Sequence, residues 1–188
     1  KPSLEANPMP HPRDAAAAPG AEPCAVLLMG VAGSGKTTVG QLLATQLGWE
    51  FRDADEFHPA ANIAKMSAGV PLTDADRAPW LAAIRQHLES SLAAGRSTVV
   101  TCSALRQRYR DALITTAGRV HLVHLTGSFD LILGRMEQRT DHFMKPGMLR
   151  SQFEALEPPA EALVVDIAHT PGDIVAEIRQ RLHLHSSR

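Results

Sequence analysis

Short apolar runs alternate along the chain with longer stretches in which apolar residues recur every three or four positions. The runs are Cys24–Met29, Glu50–Asp53, Ser97–Cys102, Arg119–Leu125 and Leu163–Asp166. Their brevity and their β-branched or aromatic content predict strands. The stretches between them predict helices over Lys36–Leu47, Pro59–Ser67, Asp74–Ala94, Arg106–Thr116, Ser128–Arg139, Pro146–Glu157 and Asp173–Leu182. Thr73 and Asp76 have capping-box spacing, but Pro79 stands where an interior proline breaks a helix. The expectation is a turn first, then a main helix from Pro79 that Gly95 stops. Strands separated by helices imply an α/β fold, with a five-stranded parallel sheet flanked by helices. No internal repeat is visible.

The first strand–helix junction reads Gly30-Val31-Ala32-Gly33-Ser34-Gly35-Lys36-Thr37, a match to G-x-x-x-x-G-K-[ST]. Glycines let successive backbone N–H groups turn inward as an anion nest, and the helix that follows adds its positive end. Lys36 is placed to reach the β- and γ-phosphates of ATP, and the Thr37 hydroxyl to ligate Mg²⁺. Thr38 is a weaker phosphate contact. An ordinary glycine turn is the plain alternative, and the Lys-Thr pair with a strand before and a helix after argues against it.

Asp53-Ala54-Asp55 closes the second strand. Ligands of parallel sheets bind beyond the carboxyl ends of the strands. Of the two carboxylates there, Asp53 and Asp55, one can hold Mg²⁺ through water and the other can accept a hydrogen bond from the hydroxyl that attacks the γ-phosphate. His58 and Lys65 are spaced to share a helix face, and with Arg77 they are candidates to hold an anionic acceptor. Asp74, Asp76 and Arg77 also read as a plain exposed charge cluster. Cys102-Ser103-Ala104-Leu105-Arg106 follows the third strand. Arg106 there is a candidate acceptor contact, and Ser103 equally reads as a helix cap. Arg135 and Arg139 share a helix face. With His142 and Lys145 they form a basic segment suited to a lid over a transferring phosphoryl group, about residues 139–147. His121 with His124, and His183 with His185, are assigned no metal.

The chain has 188 residues, enough for one domain, here 24–185. A net charge of −1 points to neither nucleic acid nor an acidic membrane as partner. No apolar run approaches the roughly 20 residues that cross a bilayer. Cys24 and Cys102 sit in apolar runs, as reduced core thiols do. Residues 1–23, rich in proline and alanine without periodicity, are expected to form a tail with no part in the chemistry.

Beyond the phosphate loop, several blocks resemble the P-loop type of gluconokinase. They are Asp53 to Pro59, Asn62, Lys65-Met66, Pro71 to Leu81, Cys102 to Leu105, Tyr109-Arg110-Asp111, His142-Phe143-Met144 and Ser151-Gln152-Phe153. The resemblance covers about Val26 to Ile167 and departs at Asp141, where the family usually has glycine. It implies a fold like the nucleoside monophosphate and shikimate kinases, and ATP-dependent phosphorylation of D-gluconate to 6-phospho-D-gluconate. It further implies a soluble, Mg²⁺-using enzyme, a cytoplasmic homodimer. In that scheme Lys36, Asp55 and Arg139 are catalytic, with Arg135 beside Arg139 on the nucleotide. His58, Lys65, Arg77, Arg106 and His142 hold the acceptor. A shikimate kinase would carry a glycine triplet where this chain has Cys102-Ser103-Ala104. A GTP switch would carry Asn-Lys-x-Asp, which is missing. A non-catalytic nucleotide-binding scaffold fits poorly with Lys36, Thr37, Asp53 and Asp55 all in place.

Overall fold

The computed structural model describes residues 22–138 and 146–186. Its strands are β1 (Ala25–Met29), β2 (Glu50–Asp53), β3 (Thr98–Thr101), β4 (Val120–Thr126) and β5 (Leu163–Asp166). They form one sheet in the order β2-β3-β1-β4-β5, every pairing parallel. The helices are α1 (Lys36–Leu47), α2 (Ala60–Ser67), α3 (Asp74–Ala93), α4 (Gln107–Leu113), α5 (Phe129–Glu137), α6 (Pro146–Ala155) and α7 (Pro171–Arg181). A 3-10 turn, Ala54–Phe57, follows β2.

β1 is the central strand, and all five of its residues are buried. Alternation along a strand sends successive side chains to opposite faces. Val26 and Leu28 therefore pack in one core with Val39, Leu43 and Leu47 of α1 and with Ile174, Val175 and Ile178 of α7. Ala25, Leu27 and Met29 pack in the other with Leu81, Ile84, Leu88 and Leu92 of α3. Each fully buried aliphatic side chain contributes about 1.5–3 kcal/mol by leaving water. This two-sided core holds the carboxyl ends of the strands along one edge, where the phosphate loop, Asp53 and Asp55 lie.

The expected break at Pro79 does not occur. α3 runs unbroken from Asp74 to Ala93 with Pro79 inside it. Its first turn is pinned from several directions. Thr73 and Asp76 form a full capping box, Lys65 Nζ donates to Asp76 Oδ1 at 2.7 Å, and Asn62 Nδ2 donates to the Asp76 carbonyl at 2.8 Å. Ala75, whose carbonyl Pro79 cannot serve, is exposed, as is Pro79 itself. Water can thus replace the missing donor. α7 begins earlier than periodicity suggests, at Pro171, because Thr170 caps it by accepting from Asp173 N.

Candidate active site

Gly30 leaves β1 with φ +152°, and a Cβ there would stand 2.6 Å from the Leu125 carbonyl oxygen. Only glycine lets the chain turn this close to β4. The loop then delivers Lys36 to the start of α1. Lys36 Nζ donates to the carbonyls of Gly30 and Val31, both at 3.0 Å. Desolvation lowers the pKa of its ammonium, opposed by the carboxylates of Asp53 and Asp55 nearby. Thr37 Oγ1 donates to Asp53 Oδ2 at 3.1 Å. The other oxygen, Asp53 Oδ1, accepts from Asp55 N at 3.1 Å, and Asp53 N donates to Glu56 Oε1 at 3.0 Å. The capping box of the 3-10 turn thus aims Asp53 at Thr37 and sets Asp55 beside it.

Asp55 opens toward solvent, its side chain 88% exposed. Partial desolvation and the Asp53 carboxylate raise its pKa, while His58 and Lys36 oppose the rise; water in the open cleft moderates the shift. His58 is enclosed, its side chain 6% exposed. Its ring stacks on Trp80 with centroids 4.4 Å apart, and Trp80 Nε1 donates to the Ala54 carbonyl at 2.7 Å. Asn62 Nδ2, a donor only, lies 3.3 Å from His58 Nδ1. The imidazole is therefore neutral with its proton on Nε2, and Nε2 faces Asp55 Oδ1 at 3.9 Å. Burial lowers the His58 pKa, Asp55 raises it and Arg77 lowers it. His58 is thus placed to align Asp55.

Beyond Trp80 opens a cleft of about 350 Å³ lined by Arg77, Ser103, Arg106, Arg108, Tyr109 and Gln152, among others. Among the described residues Asp74 supplies its one carboxylate. It takes a hydrogen bond from Tyr109 Oη at 2.7 Å and ion pairs with Arg108 at 2.8 Å and Arg77 at 3.6 Å. Three arginines against one aspartate leave a cationic surplus that suits a carboxylate-bearing ligand. The floor of the cleft contains Ala104 at φ +43°, a conformation that costs a non-glycine residue free energy and persists only when its surroundings impose it. Arg110 imposes it. This fully buried side chain donates to the carbonyls of Ala104 at 2.9 Å, Leu105 at 3.1 Å and Glu157 at 2.8 Å, and to Gln107 Oε1 at 2.7 Å.

The structure brings Gly30 to Thr37, Asp53, Asp55, His58, Arg77 and Arg106 to this edge. Other sites fall differently. Lys65 is engaged by Asp76, whose pKa drops to about 2 through hydrogen bonds from Lys65 and Thr73. His58 precedes α2 rather than sharing it with Lys65. Ser103 is not the cap of α4. Arg106 occupies that position, and Gln107 N donates instead to Glu157 Oε2 at 2.6 Å, from 50 residues away. Thr38 lies exposed in the first turn of α1. Arg135 donates to the Ile167 carbonyl at 2.6 Å, tying α5 to the loop after β5. Arg139, His142 and the lid segment through Lys145 lie outside the described residues. Arg108 gave no signal of its own in the sequence, and Arg110 stood only within the Tyr109-Arg110-Asp111 block of resemblance with no role attached, because arginines in a short helical stretch read as solvated charge.

Burial lowers the pKa of His58, His87, His121 and His124. A depressed folded-state pKa means the unfolded chain takes up protons first, near pH 6.5, so stability is present above that pH and lost as pH falls below it. Asp55, with its raised pKa, works in the opposite sense but is one group against four. The thermal midpoint is expected to fall between pH 7 and pH 5, by about 2–4 °C for each kcal/mol lost. A midpoint that stays level over that interval in a pH series of melting curves would contradict the buried neutral histidines.

Known proteins share the sequence and fold of this chain over most of its length. The shikimate kinase family model matches residues 32–182. A probable gluconokinase of Mus musculus is 47% identical over 180 residues, covering 85% of this chain and 98% of the relative. The thermosensitive gluconokinase of Escherichia coli is 42% identical over 158 residues, covering 82% of this chain and 84% of the relative. Among solved structures, a gluconokinase from Sinorhizobium meliloti superposes with a TM-score of 0.74 at 40% identity, covering 86% of this chain and 97% of that one.

Proposed function

The chain belongs to the gluconokinase family of P-loop kinases, and from that premise we propose which of its atoms carry out the phosphorylation of D-gluconate by ATP. The observation that carries the assignment is the juxtaposition of the Thr37–Asp53 pair with Asp55 beside an arginine-rich cleft. The nest of backbone N–H groups from Gly30 to Thr37 holds the triphosphate, and Lys36 exchanges its two carbonyl partners for phosphate oxygens. Asp55 accepts a hydrogen bond from the terminal hydroxyl of gluconate, orients it in line with the γ-phosphorus, and takes its proton late in the transfer. His58 Nε2–H, 3.9 Å from Asp55 Oδ1, favours the carboxylate electrostatically without a direct hydrogen bond. Arg77 and Arg106 hold the gluconate carboxylate. The product is 6-phospho-D-gluconate.

Mg²⁺ suits the donor set. Thr37 Oγ1 and Asp53 Oδ2 are hard oxygens 3.1 Å apart, and this ion is usually held by one or two protein oxygens with the rest of its shell from phosphates and water. Held by Thr37 and Asp53, the ion would supply positive charge to offset the negative charge of the triphosphate. The family resemblance supports nucleotide contacts for Arg135 and Arg139 and an acceptor contact for His142; Arg139 and His142 lie outside the described residues. The family resemblance also supports a cytoplasmic homodimer with residues 1–23 outside the chemistry. Among the described residues no helix is long and apolar enough to cross a membrane.

The test is ADP formation over a panel of D-gluconate, shikimate, other sugar acids and no acceptor, with and without Mg²⁺. Mg²⁺-dependent turnover on gluconate is the expected result. Turnover confined to another acceptor would overturn the substrate and keep the phosphoryl transfer. Arg77→Ala is expected to raise KM for gluconate by about 10–100-fold, the worth of a hydrogen bond to a charged group, with KM for ATP little changed. An unchanged gluconate KM in the same assay would remove Arg77 from the carboxylate site.

A further inference from the structure

One hydrogen bond crosses from the acceptor side of the cleft into the phosphate loop. Ala32 N donates to Gln152 Oε1 at 2.6 Å, across 120 residues of sequence. Gln152 lies on α6 and also lines the acceptor cleft with Arg77, Ser103 and Arg106. Ala32 belongs to the loop read above as the cradle of the triphosphate, and its N–H is held by the neutral amide oxygen of Gln152. A phosphate oxygen carries negative charge and is the stronger acceptor.

We infer that Gln152 is a positioning residue that couples the two substrate sites by competing with the nucleotide for the Ala32 N–H. This rests on the functional reading above. Arrival of the triphosphate displaces Gln152 Oε1 from the loop. The freed carboxamide is already at the wall of the cleft, where it can pair with hydroxyls of the acceptor. An acceptor that captures it removes the competitor from the loop. Each substrate therefore strengthens binding of the other, by the same factor in both directions.

The test is calorimetric titration of a non-hydrolysable ATP analogue with Mg²⁺, with and without gluconate, on the wild type, Gln152→Ala and Gln152→Glu. Melting curves establish that each variant is folded. Without gluconate, Gln152→Ala is expected to bind the analogue about fivefold more tightly, the worth of one hydrogen bond. Gln152→Glu is expected to bind it more weakly, because a carboxylate occupies the nest more firmly and repels the triphosphate. Gluconate is expected to tighten analogue binding to the wild type and to leave Gln152→Ala unaffected. A merely structural role would weaken binding in both variants. Unchanged or weaker analogue binding by Gln152→Ala overturns the inference, and so does wild-type coupling retained in that variant. Failure of the functional reading is read separately, as absence of gluconate turnover by the wild type, since the nucleotide-only comparison needs no acceptor.

Discussion

Asp55→Asn is expected to lower kcat on gluconate by about 10²–10⁴-fold, the usual worth of a positioned general base, with analogue binding nearly unchanged. The separation follows from the geometry. Asp53, not Asp55, pairs with Thr37, so the asparagine leaves the metal-side pair intact. Asp55 N, which donates to Asp53 Oδ1, is backbone and survives the substitution. What is lost is a carboxylate that can accept a proton. Its raised pKa, from partial desolvation and from Asp53, makes it a better proton acceptor than an ordinary aspartate late in the transfer. Steady-state kinetics beside a nucleotide titration decide the matter. Near-normal turnover by Asp55→Asn would strip Asp55 of its role.

Arg110→Met is expected to cost about 3–5 kcal/mol of stability, since each buried acceptor left without its donor costs about 1–3 kcal/mol. The carbonyls of Ala104, Leu105 and Glu157 lose their donor together, and each buried acceptor left bare adds its own desolvation penalty. Arg110→Lys is not expected to rescue the loss. A single ammonium cannot reach carbonyls spread across a guanidinium fork. Since Arg110 imposes the left-handed turn at Ala104, the acceptor wall carrying Ser103 and Arg106 should loosen as well. KM for gluconate is expected to rise, with KM for ATP little changed. Urea denaturation checks the first expectation and steady-state kinetics the second. A stability within about 1 kcal/mol of the wild type would show that the loop holds its shape without Arg110.

Much of the site was legible in residue order because the fold is built from local units. A glycine loop between a strand and a helix has only one useful geometry. Thr37 and Asp53 both read from sequence as candidate metal ligands, one following the phosphate loop and the other closing the next strand, and the structure sets their oxygens 3.1 Å apart. The parts that were not legible depend on contacts between segments far apart in the chain. Pro79 predicted a broken helix, yet Asn62 and Lys65 of α2 anchor the turn before it. Ser103 has the chemistry of a helix cap, yet the cap comes from Glu157. His58 and Lys65 both read as substrate contacts. The structure instead stacks one on Trp80 behind Asp55 and pairs the other with Asp76.

The sequence by itself determined the alternation of strands and helices, the phosphate loop, the carboxylates at the end of β2 and the family. All of these are set by backbone propensity and by spacings of a few residues. Only the tertiary structure decided which charges are free to meet substrate and which are held by the protein. Asp74, Asp76, Lys65 and Arg110 look alike as exposed charges in a string of letters. Their roles diverge once packing brings α2, α3, α4 and α6 to one edge of the sheet. There desolvation makes the buried charge of Arg110 find partners, and for it and for the more exposed Asp74, Asp76 and Lys65 the choice of partner is fixed by distance rather than by order along the chain.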